Sequence, residues 1–280
     1  AITGRPGARA QPEWEFDTES ARRALNTQFQ THDLQGFGCD ELELAIGAAG
    51  CLLQYVKDTQ RSSLPHIRGL SHESREASVI LDAATRRNLE IDINMAGGDS
   101  NTIYSVLDKG VTAMGSRLLR RWLHRPLTDT GTLTARQDAI GALCANYHYE
   151  PVRAALKPIG DMERILTRVA LRSARPRDLS RLLSSLAALP PLRAELSHCD
   201  APLLRDLSTL AREYPDLVEL LHRAIIENPP VVIRDGGVIA EGYDEELDEL
   251  RKISTGAADY LLEIEQRERE ATGISTLKVG

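Results

Sequence analysis

The sequence predicts a mainly α-helical fold, an irregular helical bundle that ends in one long helix. Three observations favour this fold class. Aromatic residues make up only 4% of the chain against 42% hydrophobic residues, so the cores must be built from Leu, Ala, Ile and Val. Apolar residues recur at helical spacing over most of the chain. Proline stands at several breaks, early in the next periodic stretch, where a helix tolerates it.

The N-terminal residues predict a linker followed by a helix. Residues 1–13 contain two proline and two glycine residues, which is typical of a loop. The sequence DTES at residues 17–20 is typical of an N-cap, and the amphipathic stretch that follows would bury Ala21, Leu25 and Phe29.

A turn at residues 35–39 then leads to a second helix at residues 41–60, whose small residues, Gly47 and Gly50 among them, allow close helix packing. Residues 79–82 favour a short β-like segment. Further helices are predicted at residues 83–90, 102–108, 111–124 and 134–144.

Residues 156–221 predict helix after helix with short connections. The breaks fall at Arg175-Pro176, Pro190-Pro191, Ala201-Pro202 and Tyr214-Pro215. Residues 231–240, with Asp235-Gly236-Gly237 in the middle, predict a β-hairpin.

The last element predicted is a helix at residues 244–270, a rod of roughly 40 Å at 1.5 Å per residue. Its seam keeps three- to four-residue spacing but is weakened by small residues, so we expect it to pack against a partner helix. An antiparallel return helix is expected and is absent from the sequence, which predicts self-association or a mobile tail. The seam consists of Leu247, Leu250, Ser254, Ala257, Leu261 and Ile264.

Charge is sorted along the chain. The net charge is −7, whereas proteins that grip nucleic acid over a broad face usually carry a positive surface, so any DNA contact must be local. Residues 111–181 carry 13 Lys and Arg against 6 Asp and Glu, whereas residues 235–270 carry 4 against 12. The bundle is therefore moderately basic and the long helix acidic.

Catalytic and cofactor signatures are missing from the sequence. There is no GxxxxGK[ST] phosphate loop, no GxSxG, no HExxH and no Cys–His nucleophile pattern, so we expect neither an enzyme nor a cofactor or metal site in this chain. The glycine pairs at 97–98 and 236–237 predict turns. We expect His66, His72 and His124 to be solvated or capping residues.

The four cysteines, Cys39, Cys51, Cys144 and Cys199, form no CxxC pair, which favours reduced thiols and a cytoplasmic protein. No apolar stretch is long enough to cross a membrane. The N-terminus, which lacks Met and a signal-peptide core, is typical of a segment of a longer protein.

Two groups of cations carry alternative interpretations. The arginine cluster Arg117, Arg120, Arg121 and Arg125, of which the first three share one face of a predicted helix, could bind phosphate. Ion pairs with acidic neighbours inside the bundle, or a solvated face, are the favoured interpretation because Leu118, Leu119 and Trp122 would embed the opposite face. At the far end of the acidic helix lie Arg267, Arg269 and Lys278. These could pair with Glu263, Glu265 and Glu270 or contact DNA phosphates at the tip.

Several longer motifs resemble the bacterial MutS family of mismatch repair proteins. They occur in the same order as in the family over about residues 14–280, so the probability of a chance resemblance is very small. They are AAGCLLQYVKDTQ at 48–60, DAATRRNLEI at 82–91, MGSRLLRRWLHRPL at 114–127, DMERIL at 161–166, ARPRDL at 174–179, VIRDGGVIAEGYDEELDELR at 232–251 and TLKVG at 276–280.

The resemblance implies three pieces of an internal segment. Residues 1–78 would be the C-terminal part of an α/β connector domain, residues 79–255 the first part of the core or lever domain, and residues 256–280 the start of a truncated clamp domain. Family members use the clamp to hold the backbone of double-stranded DNA, which assigns that contact to Arg267, Arg269 and Lys278.

Two family features are missing here. None of the three Phe residues has the Phe-x-Glu pattern of the family's mismatch reader, and the ATPase with its P-loop is absent, so ATP and Mg²⁺ are expected only outside this chain. The resemblance implies an allosteric segment that links the DNA clamp to that ATPase. It also implies a homodimer, a MutL-type partner and a role at the bacterial nucleoid. The alternative is a helical protein–protein adaptor that makes no DNA contact.

Overall fold

The computed structural model describes residues 10–60, 64–73, 77–274 and 276. Over these ranges the protein is mainly helical and forms no strand, which confirms the predicted fold class. The α helices are α1 Thr18–Phe29, α2 Glu43–Gln60, α3 Ala83–Asn88, α4 Ile103–Leu107, α5 Ala113–His124, α6 Thr130–Cys144, α7 Tyr149–Leu156, α8 Met162–Ala170, α9 Pro176–Ala187, α10 Leu189–Ser197, α11 Pro202–Leu210, α12 Pro215–Ala224 and α13 Glu245–Thr272.

Helices α1 and α2 form the N-terminal core. The Asp17 side chain accepts a hydrogen bond from the Ser20 N–H at 2.9 Å and caps α1, as predicted. Ala21 and Leu25 are buried against α2. The helices approach closely because α2 carries glycine at the crossing: a Cβ on Gly50 would lie 2.3 Å from the Ala21 Cβ.

The expected α/β character of the N-terminal piece is wrong for residues 10–60, 64–73 and 77–78. In these residues α1 and α2 bury their apolar faces against one another and against Leu34 and Leu64, and no strand forms. The β-like segment forms only a single antiparallel bridge, from Ser78 to Leu127.

Two further cores build the middle of the chain. Helices α6, α7, α10 and α11 share one, and α8, α9 and α12 share the other, which includes Ile165, Leu182 and Leu221. Pro176, Pro202 and Pro215 stand at the first position of α9, α11 and α12, as their sequence positions predict. The sequence did not separate α7, which follows two residues, Asn146 and Tyr147, in the left-handed region.

The predicted hairpin at residues 231–240 is wrong. The segment around Ile239 pairs instead with Ile225, directly after α12, through an antiparallel bridge. The Ile226 N–H donates to the Val238 carbonyl at 3.1 Å, and the Ala240 N–H donates to the Ala224 carbonyl at 2.9 Å. Residues Ile233–Asp235 form a short 3-10 helix, so the chain returns through a wide loop rather than a tight turn.

The long C-terminal helix is present as predicted. The Asp244 side chain accepts from the Leu247 N–H at 2.8 Å, and Gly273 ends α13 in the left-handed region at φ 70°. Its seam residue Leu250 is 57% exposed, so the described part of the chain leaves this position largely uncovered. Among the described residues, no helix combines the length and apolarity that crossing a membrane requires.

Candidate functional site

Helix α5 presents its arginines to carboxylates from distant parts of the chain. Arg117 donates through Nη1 to Asp161 Oδ2 at 2.7 Å and through Nη2 to Asp161 Oδ1 at 2.8 Å, and it also pairs with Glu163. Asp161 caps α8 by accepting from the Arg164 N–H at 3.4 Å. The hydrogen bonds from Arg117 lower the pKa of Asp161 and raise that of the guanidinium. The pair therefore fastens α5 to the start of α8.

A second carboxylate, Asp92, holds the next turn of α5. It accepts from Arg120 Nε at 2.9 Å and lies 2.9 Å from His124 Nε2. Burial of Asp92 opposes ionisation, but the hydrogen bonds with His124 and Arg120 outweigh it and lower the pKa of this carboxyl. The Arg120 guanidinium also lies over the Tyr104 ring, 5.8 Å from its centroid. For Arg117 and Arg120, the predicted ion pairs are confirmed.

The expected embedding of α5 is wrong. None of its residues is buried, and Leu118 and Trp122 remain 40% and 39% exposed. The ion pairs of Arg117 and Arg120 hold the helix on its basic side. Its apolar side is only partly covered by the rest of the protein.

The last arginines of α5 line an open pocket of about 410 Å³ together with Arg136 of α6. Arg125 is paired with Glu73, and the Arg136 guanidinium lies 3.7 Å from the centroid of the Trp122 ring. Arg121 has no ion-pair partner within the described ranges. Sequence reasoning missed Arg136 and Glu73, since no motif connects residues so far apart in the chain.

This pocket lies beside the contact between residues 77–79, which follow the N-terminal helices, and residues 126–128 at the end of α5. This contact is called the joint below. The Val79 N–H donates to the Pro126 carbonyl at 2.8 Å, and the Thr128 N–H donates to the Ala77 carbonyl at 3.3 Å, on either side of the Ser78–Leu127 bridge. Residues 77–79 are thereby held along the end of α5, and the described residues 69–73 and 77–83 are called the linking segment below.

The base of α13, meaning its first turns, is fastened to the bundle. Arg251 donates through Nη2 to the Ile239 carbonyl at 2.9 Å and through Nη1 to Asp248 Oδ1 at 3.0 Å. Asp248 also accepts from the Gly242 N–H at 2.6 Å. Because Ile239 pairs with Ile225, the base is linked to the end of α12.

The tip of α13, its last two turns, carries the cations expected to contact DNA. Arg269 pairs with Glu265 one turn earlier, which confirms the predicted i,i+4 pairing for this residue. Arg267, whose side chain is 71% exposed, lies 3.6 Å from Glu268. Lys278 lies outside the described residues. The DNA contact itself stays a prediction. Of the two described cations, Arg267 is more exposed than Arg269.

Side chains with metal-ligand or nucleophilic chemistry are dispersed. Within the described residues no three His, Cys, Asp or Glu side chains group closely enough to hold a metal ion. Cys39, Cys51 and Cys199 are buried, and burial raises the pKa of each thiol, whereas Cys144 is exposed.

Gly97 donates its N–H to the Asn94 carbonyl at 2.9 Å, which confirms the predicted turn at residues 97–98.

Two family models match this chain. Residues 84–274 match the family model of MutS domain III, and residues 1–68 match that of MutS domain II. The junction between the two matches contains the linking segment that pairs with the end of α5.

Proposed function

The chain belongs to the MutS family of mismatch repair proteins, and on that premise we propose that it is a non-catalytic lever, a stiff segment that transmits movement between a DNA-holding end and an ATPase end. ATP and Mg²⁺ would act outside this chain. The proposal includes the family's wider partners, namely a second subunit, a MutL-type protein and double-stranded DNA, and a cytoplasmic location.

One observation carries the proposal: α13 is a continuous helix of 28 residues, and the contacts that fasten it to the bundle among the described residues lie near its base. At 1.5 Å per residue it extends about 42 Å. A rotation of the bundle at Ile239 would therefore displace the tip by a much larger distance than the base. The predicted boundary between core and clamp, after residue 255, falls inside this helix, so the two pieces would move as one rod.

The other end of the lever is the α5 network. Asp161 and Asp92 hold successive turns of α5 from two different segments, and the linking segment pairs with its last residues. Packed helices with discrete contacts of this kind favour movement between two arrangements over gradual bending. We therefore infer that movement enters or leaves the bundle through α5.

The test is a break in the rod within the intact protein. Ser254→Pro removes a helix hydrogen bond in α13 and introduces a kink. We expect ATP-dependent release from mismatched DNA to slow at least ten-fold while ATP hydrolysis without DNA stays unchanged. Ser254→Ala, which preserves the helix, is the control and should behave as the parent. Unchanged release by the proline variant would overturn the lever.

The alternative, a helical adaptor that binds only proteins, is favoured by one observation. Both described tip cations lie beside carboxylates, Arg267 next to Glu268 and Arg269 paired with Glu265. Salt-dependent DNA binding by this chain separates the two functions, because an adaptor without DNA contact would show none even at low salt.

A further inference from the structure

The pocket beside the joint is positively charged, although the chain as a whole is negatively charged. The chain as a whole carries a net charge of −7, yet the pocket is lined by three arginines and a single carboxylate. The carboxylate, Glu73, is engaged by Arg125. Two positive charges, on Arg121 and Arg136, are left without a counter-ion among the described residues.

These two arginines differ from the others on the same surface. Arg117 and Arg120, on the preceding turn of α5, are each held by carboxylates through two or more hydrogen bonds. Arg121 follows directly and faces the pocket instead. Among the described residues Arg121 therefore presents a planar donor group without a counter-ion, and such a group suits oxygen anions.

Arg136 is positioned by an aromatic contact rather than by an acid. Its guanidinium lies 3.7 Å from the centroid of the Trp122 ring. A cation–π contact of this kind restricts the position of the guanidinium without a carboxylate partner. Preorganised donors lose less conformational entropy when they bind a ligand.

We propose that this pocket, lined by Arg121, Arg136, Trp122 and His72, binds the phosphate group of a small molecule. Its volume of about 410 Å³ falls in the range of small-molecule sites and exceeds what a lone phosphate needs, so it accommodates either a free phosphate or a phosphate ester. Phosphate matches, in charge and in bidentate hydrogen-bonding geometry, the two guanidinium groups that have no counter-ion among the described residues.

The placement of the pocket gives such a ligand a structural consequence. His72 and Glu73 come from the linking segment between the matched domains, whereas Arg121 and Arg136 come from α5 and α6 of the bundle. A bound phosphate would contact the bundle directly beside this segment and hold the two together. The inference stands on these residues alone and does not depend on the lever.

Trp122 supplies the readout. The chain has two tryptophans, and the other, Trp14, lies exposed near the N-terminus. In a Trp14→Phe background, the fluorescence of Trp122 reports the pocket directly. We would titrate this chain with inorganic phosphate, pyrophosphate and ribose 5-phosphate, each against sodium chloride at equal ionic strength.

A saturable change with at least one of the three phosphates is expected. Equal affinity for inorganic phosphate and ribose 5-phosphate identifies the free ion as sufficient, and a preference for ribose 5-phosphate identifies an ester. Arg121→Gln should weaken binding about ten-fold or more, as expected for loss of a charge-assisted hydrogen bond. Arg136→Gln is a second variant, and circular dichroism checks that each variant is folded.

The matched control is Arg212→Gln, which removes one exposed positive charge between α11 and α12 and should leave binding unchanged. Equal weakening by Arg212→Gln and Arg121→Gln would overturn the proposal, because it would reflect general charge. The proposal also fails if no phosphate gives a saturable signal, or if only duplex DNA changes Trp122 fluorescence.

Discussion

Arg117 and Asp161 form a bidentate ion pair across 44 residues of sequence, with both oxygen atoms of the carboxylate engaged at 2.7 and 2.8 Å. The same carboxylate caps α8, so one side chain both starts a helix and fastens it to α5. Loss of the Asp161 charge should therefore weaken both the start of α8 and its attachment to α5.

Replacement of Asp161 should separate its two roles. Asp161→Ala loses the cap and the ion pair, and we expect it to lower the free energy of unfolding by about 2 kcal/mol. Asp161→Asn keeps an oxygen acceptor for the cap and should lose only part of that amount. Urea denaturation followed by circular dichroism measures both. Equal stability of the alanine variant and the parent would show that the contact contributes nothing.

The same carboxylates make stability depend on acid. The pKa values of Asp161 and Asp92 lie below their ordinary value of 3.8 in the folded protein. A depressed pKa means that the unfolded chain binds protons first, so the contribution is complete above about pH 5 and is lost as the pH falls through the folded values. Urea midpoints should therefore decline below about pH 4, and less steeply in Asp161→Asn. A midpoint that rises on acidification in this range contradicts the assignment.

Glycine at the crossing of α1 and α2 should resist substitution. A Cβ on Gly50 would meet the Cα and Cβ of Ala21 at 2.6 and 2.3 Å, so Gly50→Ala forces the helices apart and should cost about 1–3 kcal/mol. Gly256 in α13 has no atom within 4 Å of such a Cβ, and Gly256→Ala should stabilise its helix by up to about 1 kcal/mol. Thermal melts of the two variants should move in opposite directions, and a shared direction would disprove the packing argument.

DNA binding by this chain should be weak, salt-sensitive and indifferent to mismatches. With at most three tip cations, the slope of log affinity against log salt should be no steeper than about −3. Arg267→Gln should reduce that slope by about 0.9, whereas Lys252→Gln, an exposed cation at the base of the same helix, should not. Fluorescence anisotropy with matched and mismatched duplexes measures this. A clear mismatch preference would require a base reader that the sequence lacks.

The exposed seam leucines of α13 should promote self-association. Leu250 and Leu261 are both exposed on this helix, so Leu250→Gln combined with Leu261→Gln should shift the chain toward monomer in sedimentation velocity. Leu44→Gln removes a still more exposed leucine from the first turn of α2 and serves as the control. Identical sedimentation of all three proteins would assign the seam no role in association.

Local signals explain most of what the sequence could predict. The caps at Asp17 and Asp244 depend on contacts three residues away, and the prolines that begin α9, α11 and α12 act within one turn, so each is visible in a short window. The hairpin prediction was wrong because the local turn signal at residues 235–237 does not show the true pairing partner. Ile239 pairs with Ile225 across a wide loop, and a short stretch of sequence does not contain both residues.

The candidate sites divide in the same way. The i,i+4 pairing of Arg269 with Glu265 follows from helix geometry and was predicted. The partners of α5, Asp92 and Asp161, lie 28 and 44 residues from the arginines that they bind, and Arg136 reaches Trp122 from another helix. Periodicity locates charges on a helix face but does not identify what that face meets. The sequence therefore indicates Arg121 as a possible phosphate ligand but not the pocket that it shares with Arg136.

The four cysteines offer a practical consequence. Three are buried with weakened acidity, and only Cys144, at the end of α6, is exposed. A thiol-reactive dye added to the native protein should therefore attach at a single position without any substitution. Cys144 thus provides a built-in fluorescent label on the bundle, from which the distance to a second label, engineered on α13, could be followed by energy transfer.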